Sequence, residues 1–200
     1  MGRLVHQLDA NFSGLDVKMS KIKIDPLTDW KGFLKEIQNE SPRAAVLIAG
    51  AFLDAQLRKL LSNFFVDDKK VVDDLLGSEN RGGDKPISSF SARIKTAYCL
   101  GLISKSVYED LNTIKSIRNE FAHKLQGYTF DEPEIIKWCK SLKLAKMITD
   151  TSPHFPDTHG GLFLLGVTQL SMYLSLNIIE AQRNRRSAPK GPKIDQAVIV

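Results

Sequence analysis

At 200 residues, the chain is long enough for one domain with a real hydrophobic core and too short for two of ordinary size. Hydrophobic residues make up 42% and charged residues 26%, a balance that excludes disorder over most of the length. The formal charge of +5 is local: Arg183, Arg185, Arg186, Lys190 and Lys193 fall within residues 183–193 with no acidic residue among them, leaving 23 basic against 23 acidic residues elsewhere. Cys99 and Cys139 show no CxxC or Cys/His spacing, so a reduced, cytoplasmic protein is expected. The opening MGRLVHQLDANFSG has no apolar core of a signal peptide, and His6 replaces the Ser or Thr of a myristoylation motif.

In chain order, residues 1–28 show no sustained period and are expected to form an irregular arm. Helical order begins near Asp29: Thr28 or Asp29 can cap, and Trp30, Phe33, Leu34 and Ile37 recur at helical spacing. Ser41-Pro42 is a second start, with serine at the cap and proline where its missing N–H costs nothing. The helix that follows, to about Phe65, is apolar nearly all round, as the central helix of a bundle would be. A short helix from Asp67 to Leu76 ends at Gly77, before a polar loop with three glycines over 77–85. Ser88 or Ser89 caps a helix that stops at Gly101 in a left-handed turn.

Ser104 caps the long amphipathic pattern of Lys105 to Lys124. Another helix is expected over Glu134 to Ile148, with Ile135, Trp138, Leu142 and Ala145 inward. After a loop with two prolines and two glycines comes an apolar helix from Leu162 to about Gln182. Thr168, Gln169, Ser171, Ser175 and Asn177 interrupt it, so it is expected to be a buried core helix and not a membrane span. No segment alternates as a strand would. The class is all-α: a single bundle of about seven helices over 29–182, with a basic, disordered tail over 183–200.

The chemistry-bearing stretch is IRNEFAHK, from Ile117 to Lys124. Placing residues 100° apart puts Val107, Leu111, Ile114, Phe121 and Leu125 on one face, with Arg118 near its middle and Asn119 and His123 together on a flank. An uncompensated guanidinium on a packed face is costly, so Arg118 must be paired or line a cavity. Asp54 and Gln56, on the central helix, are its expected partners, and His123 can favour the negative end of its helix. The competing reading is catalytic. R-x4-H is the pattern of HEPN domains, which include metal-independent ribonucleases: His123 would move a proton at a ribose hydroxyl, Arg118 would clamp the phosphate, and Asn119 would assist. Five residues leave Arg118 about 140° from His123, so joint action on one phosphate needs Arg118 to reach round, a distorted helix or a second subunit.

Ala97, Gly101 and Val107 have the spacing of a helix-turn-helix, but the second helix would present Glu109 and Asp110 to phosphate, so a plain helical hairpin is favoured. The basic tail can add sequence-independent affinity for nucleic acid or serve as a solubilising end; it lacks an aromatic residue for stacking. His154, Asp157 and His159 lack a further positioned ligand, so no metal is expected, and the absence of phosphate-loop and dinucleotide motifs points to no cofactor.

Three blocks carry a more specific signal: SPRAAVLIAGAFLDAQLRKLL (41–61), PISSFSARIKTAYCLGLIS (86–104) and YEDLNTIKSIRNEFAH (108–123). Together they resemble the mannitol operon repressor family over a core of residues 41–130. Ser89, Phe90, Ser91, Arg93, Gly101, Leu102, Arg118, Asn119, Phe121 and His123 stand at its hallmark positions. The resemblance implies an all-helical bacterial, cytoplasmic transcriptional regulator of a sugar operon that has no obvious DNA-binding module of its own and acts with protein partners such as a phosphotransferase carrier protein. A homodimer or other homo-oligomer is expected beside it, and a DNA operator is the nucleic-acid target to test. The rival is a ribonuclease acting on RNA through Arg118 and His123.

Overall fold

The computed structural model describes residues 25–37, 39–77, 85–124, 127–150 and 158–191. Among these are a 3₁₀ turn, η1 (Pro26–Thr28), and eight α-helices: α1 (Trp30–Ile37), α2 (Pro42–Phe64), α3 (Lys69–Leu76), α4 (Phe90–Cys99), α5 (Lys105–His123), α6 (Pro133–Ser141), α7 (Lys143–Thr149) and α8 (His159–Arg183). No strand occurs among the described residues, which hold one isolated parallel bridge between Val66 and Arg186. The fold is all-α.

Short polar side chains start these helices. Asp29 accepts from the Gly32 N–H at 3.0 Å before α1. Ser41, Asp68, Ser89, Ser104 and Thr158 accept from the N–H three residues on at the heads of α2, α3, α4, α5 and α8. Each supplies an acceptor to a first-turn amide that has none within its helix. Gly101 adopts φ 71° after α4, a conformation that suits glycine because a Cβ would be strained there.

The continuous helix expected over Glu134 to Ile148 is two helices. Leu142 is extended (φ −64°, ψ 112°), and the interruption has a cause on α5. The carboxylate of Asp110 accepts from the N–H groups of Lys143 and Leu144, both at 2.8 Å, and so caps α7 from another helix. Asp110 is buried, which no sequence rule for an aspartate anticipates.

α2 is the axis of the bundle and packs most extensively on α8, with α5 and α4 on its other side. α8 is long and apolar enough to cross a membrane by length and composition, but 61% of its most apolar window is buried inside the fold. Its polar interruptions serve the seam with α2. The Gln56 amide nitrogen donates to the Ser171 carbonyl at 3.1 Å, to Ser175 Oγ at 3.1 Å and to the Leu27 carbonyl at 2.8 Å. Asn63 reaches the Ile178 carbonyl at 3.3 Å.

The basic segment begins inside the fold. Arg183 ends α8. Arg185 pairs with Asp67 at 2.7 Å, and the Arg186 guanidinium lies 4.1 Å from the centre of the Phe64 ring. The Arg186 carbonyl also accepts from the Asp67 N–H. Ion pairing and ring stacking thus anchor residues 185 and 186, at the start of the segment expected as a disordered tail, to the α2–α3 connection. Lys190 is exposed, and Lys193 lies outside the described residues, as do 1–24.

Candidate functional site: an arginine-lined cleft

The buried face of α5 comprises Val107, Asp110, Leu111, Ile114, Ile117 and Phe121. This face is rotated from the expected one: Ile117 is fully buried and the neighbouring Arg118 is half-buried at its edge. Asp110, which caps α7, belongs to this buried face, and Arg118 lies at its edge towards α2. Leu125 lies outside the described residues.

At the edge, the aliphatic stem of Arg118 lies against Gly50 of α2. A Cβ built at Gly50 would stand 2.9 Å from Arg118 Cγ, closer than real Cβ contacts allow. A glycine in mid-helix costs about 0.5–1 kcal/mol relative to alanine, and here its missing side chain is what admits the arginine. A cavity of about 290 Å³ opens beside it, lined by Gly50, Ala51, Asp54, Ala55, Arg58, Phe90, Arg93 and Arg118.

The three guanidinium groups are used differently. Arg93, on α4, is buried; it pairs with Asp54 at 2.7 Å and donates to the carbonyls of Leu76 at 3.0 Å and Ile87 at 3.2 Å. Arg58 pairs with Asp73 at 2.8 Å and holds the Gly77 carbonyl, so it fastens the end of α3. Arg118 donates to Asn119 Oδ1 at 3.3 Å. Burial pushes the Asp54 carboxyl above the usual carboxylate range, against the opposing pull of its hydrogen bond to Arg93 and the charges of Arg93 and Arg118.

The expected partners of Arg118 are thus reassigned. Asp54 shares the cleft with Arg118 and accepts its hydrogen bond from Arg93 of α4. Gln56 is committed to α8 on the opposite side of α2 and does not meet Arg118. Arg118 and Asn119 are together, while His123 is exposed in the last turn of α5 and does not line the cleft. His123 is the basic residue of that last turn, and the Lys124 carbonyl just beyond it accepts from Arg43. Arg58 and Gly50 were not singled out in the sequence; the signals were a glycine inside an apolar helix and an arginine four residues after Asp54.

At the helix-turn-helix spacing, Lys105 sits over the rings of Tyr98 and Tyr108, and Glu109 pairs with both Lys105 and Lys143. The charged head of α5 is thereby engaged with its own neighbours. At the first turn of α8, His159 faces Asp131 at 3.5 Å, and His154 and Asp157 lie outside the described residues. No group of three metal-ligating side chains occurs among the described residues.

The mannitol repressor family model matches residues 24–173, which include every element from η1 through most of α8. The chain belongs to this family. Among its relatives are the mannitol operon repressors of Escherichia coli strain K12 and of Escherichia coli O6:H1 strain CFT073, each 37% identical over 54 residues. That alignment covers 27% of this chain and 28% of each relative, so the direct likeness spans about a quarter of their length. The fold resembles that in the X-ray structure of the MtlR–HPr complex from Escherichia coli, with a TM-score of 0.58 and 21% identity over 73% of this chain and 98% of that one. The mannitol repressor fold therefore accounts for nearly all of the neighbour's chain, and the arginine-lined cleft lies within the family-matched region.

Proposed function

We propose that this member of the mannitol repressor family is a bacterial, cytoplasmic transcriptional repressor that self-associates and acts through a protein partner. The observation that carries the reading is family membership over residues 24–173. The partner it fits best is a phosphotransferase carrier protein, supported by the fold's likeness to a chain crystallised as an MtlR–HPr complex. The basic residues Arg183, Arg185, Arg186, Lys190 and Lys193 are the proposed source of nucleic-acid affinity. Two of them are partly engaged with the fold, so their contribution is smaller than a free tail's would be.

The test is titration calorimetry of the purified chain with the HPr-type carrier of its own source, beside electrophoretic shifts on its upstream operon DNA. Saturable carrier binding is expected, together with DNA retardation that weakens when residues 187–200 are removed and has little sequence preference without a partner. No carrier binding and no effect on transcription of the neighbouring operon would defeat the reading. Incubation of metal-free protein with RNA, beside Arg118→Ala and His123→Ala, checks the rival: intact RNA is expected in all three.

A further inference from the structure

The cleft between α2, α4 and α5 has more cationic capacity than the fold consumes. Its lining carries three guanidinium groups, Arg58, Arg93 and Arg118; Asp73 pairs with Arg58 and Asp54 with Arg93, which leaves Arg118. Arg93 and Arg58 each hold two parts of the chain together. Among the described residues Arg118 bridges none by hydrogen bond: its bond is to Asn119, the next residue on its own helix, at 3.3 Å, long for a charged donor. Its position is nevertheless enforced, because Gly50 leaves the space its stem occupies. A half-buried guanidinium that is placed by packing and left over by the ion pairs is arranged for an outside anion.

The rest of the lining says which anion. Gly50, Ala51, Ala55 and Phe90 give an apolar floor beside the guanidinium groups, so the cavity pairs a charged end with a carbon-bearing end. Its volume of about 290 Å³ lies at the lower limit of small-molecule sites, which run from roughly 300 to 1,000 Å³. The charges meet in one cavity and do not form a row that would follow a polynucleotide backbone. We propose that this cleft binds a small phosphate monoester, with Arg118 gripping the phosphate, Arg58 and Arg93 supplying the surrounding field, and the Gly50–Ala51–Ala55–Phe90 floor taking the organic part.

This goes beyond the repressor reading and needs neither operator nor carrier, so its failure would leave that reading standing. The probe is glycerol 3-phosphate, titrated calorimetrically into the purified full chain, with inorganic phosphate in a parallel titration. Saturable binding of the ester is expected, tighter than that of phosphate and weakened by added salt. Arg118→Met should weaken it about tenfold or more, as loss of a charge-assisted contact does, with a ligand-free melting temperature close to that of the parent. Arg118→Lys, which keeps the charge but not the fork, should fall between the two. Lys95→Met, on the exposed side of α4, should leave affinity unchanged. Absence of binding, or equal affinity in the parent and Arg118→Met, would overturn the proposal. Equal affinity for phosphate and the ester would also overturn it by removing the organic part. An oligoribonucleotide that binds through Arg118 where the ester does not would replace it.

Discussion

The two sides of α2 treat polar groups in opposite ways. Towards α8 most are spent internally: Gln56 and Asn63 donate to α8 carbonyls, and Thr168 and Ser175 return their hydroxyls to carbonyls four residues back in their own helix, while Gln56 Oε1 and Ser171 Oγ are buried without a partner among the described residues. Towards α4 and α5 a cavity opens, and among the described residues one of its three guanidinium groups bonds only to a neighbour in sequence. Both sides lie on one helix of continuous apolar character, so composition does not separate them. What separates them is Arg118, whose hydrogen bond reaches no second element among the described residues, whereas Arg58 and Arg93 beside it do join elements. The α8 side is a seam that locks the bundle; the α4–α5 side keeps a charge in reserve.

If that contrast holds, substituting the two neighbouring arginines should give very different stabilities. Arg93→Ala removes the buried partner of Asp54 and orphans the Leu76 and Ile87 carbonyls. Breaking a buried pair in this way costs about 3–5 kcal/mol, and the partial exposure of Asp54 places the expected loss at the lower end. Arg118→Met should cost under about 1 kcal/mol, the range for groups that make no bridging contact. Urea denaturation of both variants measures the gap. Equal losses would mean that Arg118 is as structural as Arg93 and that the cleft holds nothing in reserve.

A second comparison sets the seam against the cleft wall. Gln56→Leu removes three hydrogen bonds to η1 and α8 but also removes Oε1, a buried acceptor without a partner among the described residues. The losses and the relief offset, leaving an expected cost of about 1–2 kcal/mol. Gly50→Ala gains about 0.5–1 kcal/mol of helix propensity, yet its Cβ would displace the stem of Arg118, and overpacking of this kind costs about 1–3 kcal/mol. The net is a small destabilisation by the same measurement, with a larger effect on whatever Arg118 binds.

The bundle, its caps and the glycine stop at Gly101 were legible because each rests on local chemistry: a serine before an apolar period, or a residue that tolerates positive φ. The side chains of the cleft were half legible. Asp54, Arg93 and Arg118 could each be picked out as charges on packed helices, but which two would pair depends on how far α4 and α5 stand from α2. Helix phase alone put Arg118 at the centre of a face that Ile117 in fact occupies. Asp110 was the least legible. It reads as a surface aspartate in YEDL, and its role exists only because the chain turns at Leu142 and brings the N-terminus of α7 over it.

That residue supplies the effect whose sign is most informative. Asp110 sits on α5, the helix of the open cleft, yet it is committed like the seam: two N–H groups of α7 meet its carboxylate. Burial raises its pKa above the ordinary 3.8, opposed by hydrogen bonds from Leu144 and Lys143 and by the Lys143 charge, while the neighbouring Glu109 adds to the rise. With the folded pKa above the unfolded one, the folded chain binds more protons in the interval just above 3.8, so this contribution to stability falls as pH rises through it and is constant at neutral pH. Asp110→Asn removes the titration and aims an amide N–H₂ at one of the two backbone donors, a loss of about 1–3 kcal/mol at neutral pH. The stability difference between parent and Asp110→Asn, followed by urea denaturation from pH 3 to pH 7, should therefore decline across the acid range and then level. A difference that climbs with pH would mean that the two amides of α7 outweigh burial, and that even this buried charge is held as a favourable ion.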